Sequence, residues 1–213
     1  MRLRIPFAVT AAVATLFVAA LAGCASMSGG GAFSLSTTAV SGPAETGFDS
    51  GLVSVGRLAP MYGAAPGGPA NHRSFPFTWK NVPAGTRALA VILDDPDARP
   101  LLKAFGSDAP FFLHWTATDI DPSLGGLPDD AAATMSITQG TNGGGAVGYQ
   151  APTPPADIPK DTDKVRIHVY RLKVYALSAP TGLAPGFTLD QLQAAIKDTT
   201  LAMAQLNVSY SNQ

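Results

Sequence analysis

One cysteine, three histidines and two tryptophans are all that this 213-residue chain has of those side chains, and Asp, Glu, Lys and Arg together make up only 14% of it. A single cysteine excludes an internal disulfide, so any fold must be held together by packing. Charge is sparse in both signs, with 14 Lys and Arg against 15 Asp and Glu, a formal net charge of −1. Without a basic excess there is no electrostatic footprint for nucleic acid. The longest apolar stretch, Ile5 to Ala20, is shorter than the roughly 20 residues a spanning helix needs. No His-Glu-x-x-His pair and no serine nucleophile elbow occurs, and no metal or cofactor is expected.

What is present begins with a processing segment. Arg2 and Arg4 precede the apolar stretch, which ends in small residues as an export signal does. Leu21-Ala22-Gly23-Cys24 then resembles a bacterial lipobox, in which the chain is cut before the cysteine and the thiol carries a diacylglycerol. A thiolate is nucleophilic enough for that linkage, and several acyl chains hold a protein at a bilayer far more firmly than one. Residues 1–23 are therefore expected to be a lipoprotein signal peptide. Residues 24–32 would be the lipidated cysteine and a small, flexible tether, and residues 33–213 one domain. Losing residues 1–23 removes two arginines and no acid, which takes the formal charge from −1 to −3. The expected location is the bacterial cell envelope, with the membrane contacted through the lipid. Ala25 after the cysteine points to the outer membrane, facing the periplasm.

With 22 Gly and 18 Pro, the domain reads as strands joined by turns. Phe33, Leu35 and Thr37 alternate with serines, Leu52 to Val55 suggests a short strand, and Pro60 to Pro69 reads as a surface loop. Ala88 to Leu93 is a continuous apolar run, as in a central strand buried on both faces, and it leads into Asp94-Asp95-Pro96-Asp97. Phe111 to Ile120 and Met135 to Thr138 suggest further strands. In Val165 to Leu177 a two-residue period places His168 and Tyr170 side by side. Thr188-Leu189-Asp190-Gln191 has the spacing of a capping box, and Leu192, Ala195, Ile196, Thr199, Ala202 and Met203 form an amphipathic stripe after it. A last strand is expected over Leu206 to Tyr210.

Asp95 and Asp97 lie two apart, so in an extended segment both carboxylates point the same way. Such a pair needs donors, a shared proton or a cation, and His114, His168, Tyr149 and Tyr170 are the candidate partners. Taken one at a time these residues have plainer readings: a strand-end turn for Asp-Pro-Asp, a core histidine for His114, core filling for Tyr170.

The order of the motifs decides between these readings. Pro76-Phe77-Thr78-Trp79-Lys80-Asn81-Val82-Pro83-Ala84-Gly85-Thr86 precedes Asp94-Asp95-Pro96-Asp97-Ala98 and His114-Trp115. Gln139-Gly140-Thr141-Asn142, Gly148-Tyr149 and Pro152-Thr153-Pro154-Pro155 follow, and then His168-Val169-Tyr170 with Val174-Tyr175-Ala176-Leu177. In that order they resemble the phosphatidylethanolamine-binding protein family, in its bacterial Raf-kinase-inhibitor-like branch. The resemblance implies a mainly β fold, an antiparallel β-sandwich with a C-terminal helix, and a pocket for phosphate- or carboxylate-bearing anions. It assigns ligand binding to Asp95, Asp97, His114, His168 and Tyr170, with Tyr149, Pro152 and the loop through Pro155 as a wall. Arg99, inserted before Pro100, and Gln150 and Ala151, in place of glycines, depart from the pattern, as does Thr199, which replaces a histidine common in the branch. The expected function is non-enzymatic binding of a small anion, such as a phosphorylated headgroup or a modified peptide. The alternatives are a protein-interaction or protease-inhibitor module, whose protein partner the sequence does not identify, and an acid–base or metal-dependent hydrolase built on the same Asp/His cluster.

Overall fold

The computed structural model describes residues 31–63, 72–154 and 167–211. Cys24, the signal segment, most of the tether, most of the loop to Pro69 and Pro155 lie outside the described residues.

The strands in chain order are β1 (Ser34–Ser36), β2 (Val40–Ser41), β3 (Arg57–Leu58), β4 (Phe77–Lys80), β5 (Ala88–Asp95), β6 (Phe112–Ile120), β7 (Gly126–Leu127), β8 (Thr138–Gln139), β9 (His168–Leu177) and β10 (Thr200–Tyr210). Three short helices interrupt them: α1 (Arg99–Ala104), α2 (Ala131–Thr134) and α3 (Leu189–Ile196). A three-stranded sheet, β1-β4-β7, packs over a seven-stranded sheet ordered β2-β3-β10-β9-β5-β6-β8. The pairings are antiparallel except β10 with β3, which is parallel. The chain is mainly β, as its turn-rich composition predicts.

β5 is buried along its whole length because alternate residues enter two different cores. Leu89, Val91 and Leu93 face inward to Trp79, Phe77, Leu127, Leu172 and Val174 between the sheets. Ala90 and Ile92 face the other way, where α3 covers them with Leu192 and Ile196. Each of those two side chains contributes about 1.5–3 kcal/mol on burial, and the expected capping box starts the helix. The Thr188 side chain accepts from Gln191 N, and the Gln191 side chain accepts from Thr188 N.

Three expected elements differ, the first being the strand expected over Met135 to Thr138, of which only Thr138 enters β8. The helical stripe does not run on to Met203: α3 ends at Ile196, and β10 begins at Thr200 rather than near Leu206. Leu201 and Met203 are exposed whereas Ala204, Leu206 and Val208 are buried, a two-residue period that the strand satisfies and a helix could not. Leu52 to Val55 forms no strand but only a single bridge, Thr46 to Val53, with Gly47 N donating to Leu52 O and Ser54 N to Glu45 O.

Candidate functional site

Antiparallel pairing brings the C-terminal end of β5 to the N-terminal ends of β6 and β9. Asp95, His114 and His168 therefore arrive at one end of the large sheet from three different strands. His114 reaches the inner face through an irregularity. Leu93 pairs with Trp115 and Asp94 with Leu113, which leaves His114 as an extra residue on β6 with no opposite number. The bulge lets the consecutive residues His114 and Trp115 both turn inward, His114 against the Tyr170 ring and Trp115 into the main core.

Asp95 is 3% exposed and sits at the centre of the cluster. Its Oδ2 accepts from His168 Nδ1 at 2.7 Å, and the Nε2 of His114 stands 3.8 Å from the same oxygen. Its Oδ1 accepts from Ala98 N at 3.1 Å, capping the 3-10 turn Pro96–Ala98. Burial pushes the Asp95 carboxyl up, but the neighbouring imidazoles of His114 and His168 outweigh it and hold the group below the ordinary carboxylate range.

Proton positions follow from the acceptors. His114 Nδ1 lies 2.8 Å from the carbonyl oxygen of Gln150, which can only accept, so Nδ1 carries the proton. The ionised Asp95 imposes the same on His168 Nδ1. Each ring is thus left with Nε2 as the atom that gains or loses a proton, and His168 Nε2 has no hydrogen-bond partner among the described residues. Beside these rings is a cavity of about 110 Å³, lined by Asp95, His114 and His168 at its polar end and by Ala98, Leu101, Leu102, Phe112 and Pro154 elsewhere, with Gln150 and Thr153 at the side. That is room for several waters or one phosphate-sized group.

Not every residue assigned from the family pattern reaches this cavity. Asp97 is buried but turned away. It accepts from Asp49 N (2.8 Å), Ser50 N (2.6 Å), Ser50 Oγ (3.0 Å) and Val169 N (2.8 Å). The segment is not extended, because Pro96 opens a 3-10 turn that sends the two carboxylates apart. Asp97 instead ties the 47–50 loop to β9, and a Cβ on Gly47 would collide with it. Tyr170 lies behind the histidines, its ring 6.3 Å from His168 and 5.1 Å from His114. Burial and then the Asp95 charge push its hydroxyl far above the usual phenol range. Tyr149 packs edge-on against Trp115 at 5.8 Å, and burial likewise raises its hydroxyl. Neither tyrosine nor Pro152 lies on the cavity wall.

Leu101, Leu102 and Phe112 are on that wall and were not foreseen. Phe112 could have been, lying two residues before His114 on the same strand; Arg99-Pro100 could have signalled the start of α1, which carries the two leucines. Arg99 lines a neighbouring groove with Arg171 and is not on the cavity wall. On the opposite face of β5, buried Asp94 takes Arg171 Nε at 2.5 Å and Lys173 Nζ at 2.6 Å, clamping β5 to β9 just behind the site.

Fold and site together define a two-sheet β protein with a small Asp/His recess at one end of its larger sheet. The chain belongs to the phosphatidylethanolamine-binding protein family, whose sequence model matches residues 50–211. YxkA of Bacillus subtilis is 32% identical over 144 residues, 63% of this chain and 79% of that protein. LppC of Mycobacterium tuberculosis, named as a lipoprotein, is 35% identical over 133 residues, 62% of this chain and 56% of its own length. Among solved structures, the family homologue CT736 of Chlamydia trachomatis superposes with a TM-score of 0.65 at 25% identity, covering 85% of this chain and 99% of that one.

Proposed function

We propose that this is a lipid-anchored envelope protein whose Asp95/His114/His168 pocket holds a small anionic group without turning it over. The observation that carries the reading is the pair of imidazoles whose Nδ1 protons are committed to Asp95 and Gln150 O, with His168 Nε2 left without a partner among the described residues and His114 Nε2 standing 3.8 Å from Asp95 Oδ2, beyond hydrogen-bond range. Protonated, each Nε2 becomes a charged donor. Phosphate and carboxylate oxygens are the matching acceptors, and the apolar collar of Leu101, Leu102 and Phe112 suits a carbon-bearing ligand over a bare inorganic ion. Asp95 orients the His168 ring through Nδ1 but would itself repel an anion at close range, so the ligand is held from the histidine side. Anchoring is proposed through Cys24, on the lipobox and on the likeness to LppC, with the outer membrane facing the periplasm as the expected site.

The Asp95–His168 pair also has the geometry of an oriented general base, which supports a hydrolytic second reading. No cluster of three or more His, Cys, Asp or Glu suited to a metal occurs among the described residues. Native mass spectrometry of protein purified from its own envelope, with assays on generic phosphate and carboxyl esters, separates the two. A retained small anion and no ester turnover support binding. Turnover abolished by His168→Ala would establish hydrolysis instead.

A further inference from the structure

β10 is the longest strand, and it is paired very unequally on its two sides. β9 runs beside it from Thr200 to Tyr210. On its other side β3 meets it at one position, Ser209 to Arg57, helped by Val55 N donating to Asn207 O and Ser209 N to Gly56 O. Those bonds fix the parity of the strand. If Asn207 and Ser209 turn their backbone groups away from β9, so do Met203 and Gln205, since successive residues alternate. From Leu201 to Leu206 those outward N–H and C=O groups have no backbone partner among the described residues.

An open edge of this kind normally carries a charge, a proline or a strong bulge that discourages pairing. Thr200-Leu-Ala-Met-Ala-Gln-Leu-Asn-Val-Ser-Tyr210 contains no charged residue and no proline, and its one irregularity is at its first residues, between Thr200 and Ala202. The outer face of the edge is apolar as well as open, with Leu201 and Met203 45% and 47% exposed. α3 covers this side of the sheet over Ala90, Ile92 and Leu177, which belong to β5 and β9, and not over β10.

We infer that β10 is a pairing edge through which two copies of the chain join, antiparallel and about a two-fold axis, so that the seven-stranded sheet continues into the second copy. The absence of charge favours a like copy as the occupant, because a strand with none meets no repulsion from itself. A two-fold axis gives each copy the same contacts in return. An axis at Met203 keeps the pairing inside the open segments: it sets Leu201 opposite Gln205 of the second copy and Met203 opposite its own counterpart, and brings the exposed Leu201 and Met203 of both chains onto one continuous face. This arrangement is independent of the Asp/His pocket, which lies at the far end of β9 from Thr200.

Sedimentation equilibrium of the full chain in detergent micelles tests it. The wild type should sediment as a dimer. Met203→Pro removes one outward N–H while leaving the β9 ladder intact, and Met203→Lys adds a charge at the edge without touching the backbone. Both should weaken association tenfold or more at an unchanged circular dichroism spectrum, and should leave any anion affinity of the pocket as it is. A monomeric wild type overturns the inference, whether the strand serves a different extended segment or none. So does a dimer whose affinity is the same in Met203→Lys as in the wild type.

Discussion

Asp97→Ala should unfold this protein far more readily than it alters any ligand affinity. The carboxylate is 1% exposed and receives four hydrogen bonds, three from backbone N–H groups of Asp49, Ser50 and Val169 and one from the Ser50 hydroxyl. A hydrogen bond to a charged group contributes about 1.5–3 kcal/mol, and bonds sharing one acceptor are not additive, so roughly two bonds' worth, about 3–6 kcal/mol, should be lost. In a domain of this size 1 kcal/mol moves the melting midpoint by about 2–4 °C, which predicts a fall of about 6–24 °C. Asp97→Asn keeps one acceptor oxygen but turns an amide N–H toward a donor, and should fall between alanine and wild type. The assay is urea and thermal denaturation, with phosphate titrated by calorimetry into whatever fraction remains folded. An unchanged midpoint with abolished binding would refute the reasoning and return Asp97 to the pocket.

The acid limb of stability should depend on Asp95. Its carboxyl is held below the ordinary range in the folded chain, so its contribution is complete above the unfolded value of about 3.9 and is lost as pH falls through the lower, folded one. Asp95→Asn should therefore flatten the dependence of midpoint on pH below about 4, and an undiminished acid limb would contradict this. Thr188→Ala removes the acceptor that starts α3 and should cost about 1 kcal/mol by denaturation, with the pocket affinity unaffected. Cys24→Ser should abolish the acyl mass and release the chain from membranes; an unmodified, soluble wild type would defeat the lipid anchor.

Much of the scaffold was legible because its signals were local and redundant. The run from Ala88 to Leu93, bounded by turn residues, read as a strand buried on both sides, and Thr188 to Gln191 marked the start of α3 by its capping spacing. The two-residue period correctly set His168 and Tyr170 on one face. Four particulars were not legible, each for a physical reason. Asp95 and Asp97 looked parallel because an extended backbone was assumed, whereas Pro96 begins a turn once Asp95 can cap Ala98 N. His114 and Trp115 share a face only because of a bulge, and a bulge is a property of two paired strands that neither records by itself. The stripe through Thr199, Ala202 and Met203 fits a helical period by coincidence, and tertiary pairing with β9 decided in favour of a strand. The Gln150 carbonyl, which fixes the His114 tautomer, is a backbone atom and leaves no trace in side-chain patterns.

In the proposed pocket an anion is held by protonated Nε2 atoms of His114 and His168. The most direct test is calorimetric titration of phosphoethanolamine, phosphate and acetate at pH values about one unit either side of histidine's reference pKa of about 6.5, each in two buffers of different ionisation enthalpy. The expected result is tighter binding at the lower pH, proton uptake on binding, and an affinity about 10- to 100-fold weaker in His168→Ala, equivalent to the roughly 1.5–3 kcal/mol of one charge-assisted bond. Equal affinities at both pH values with no proton uptake, or an unchanged affinity in His168→Ala, would contradict it.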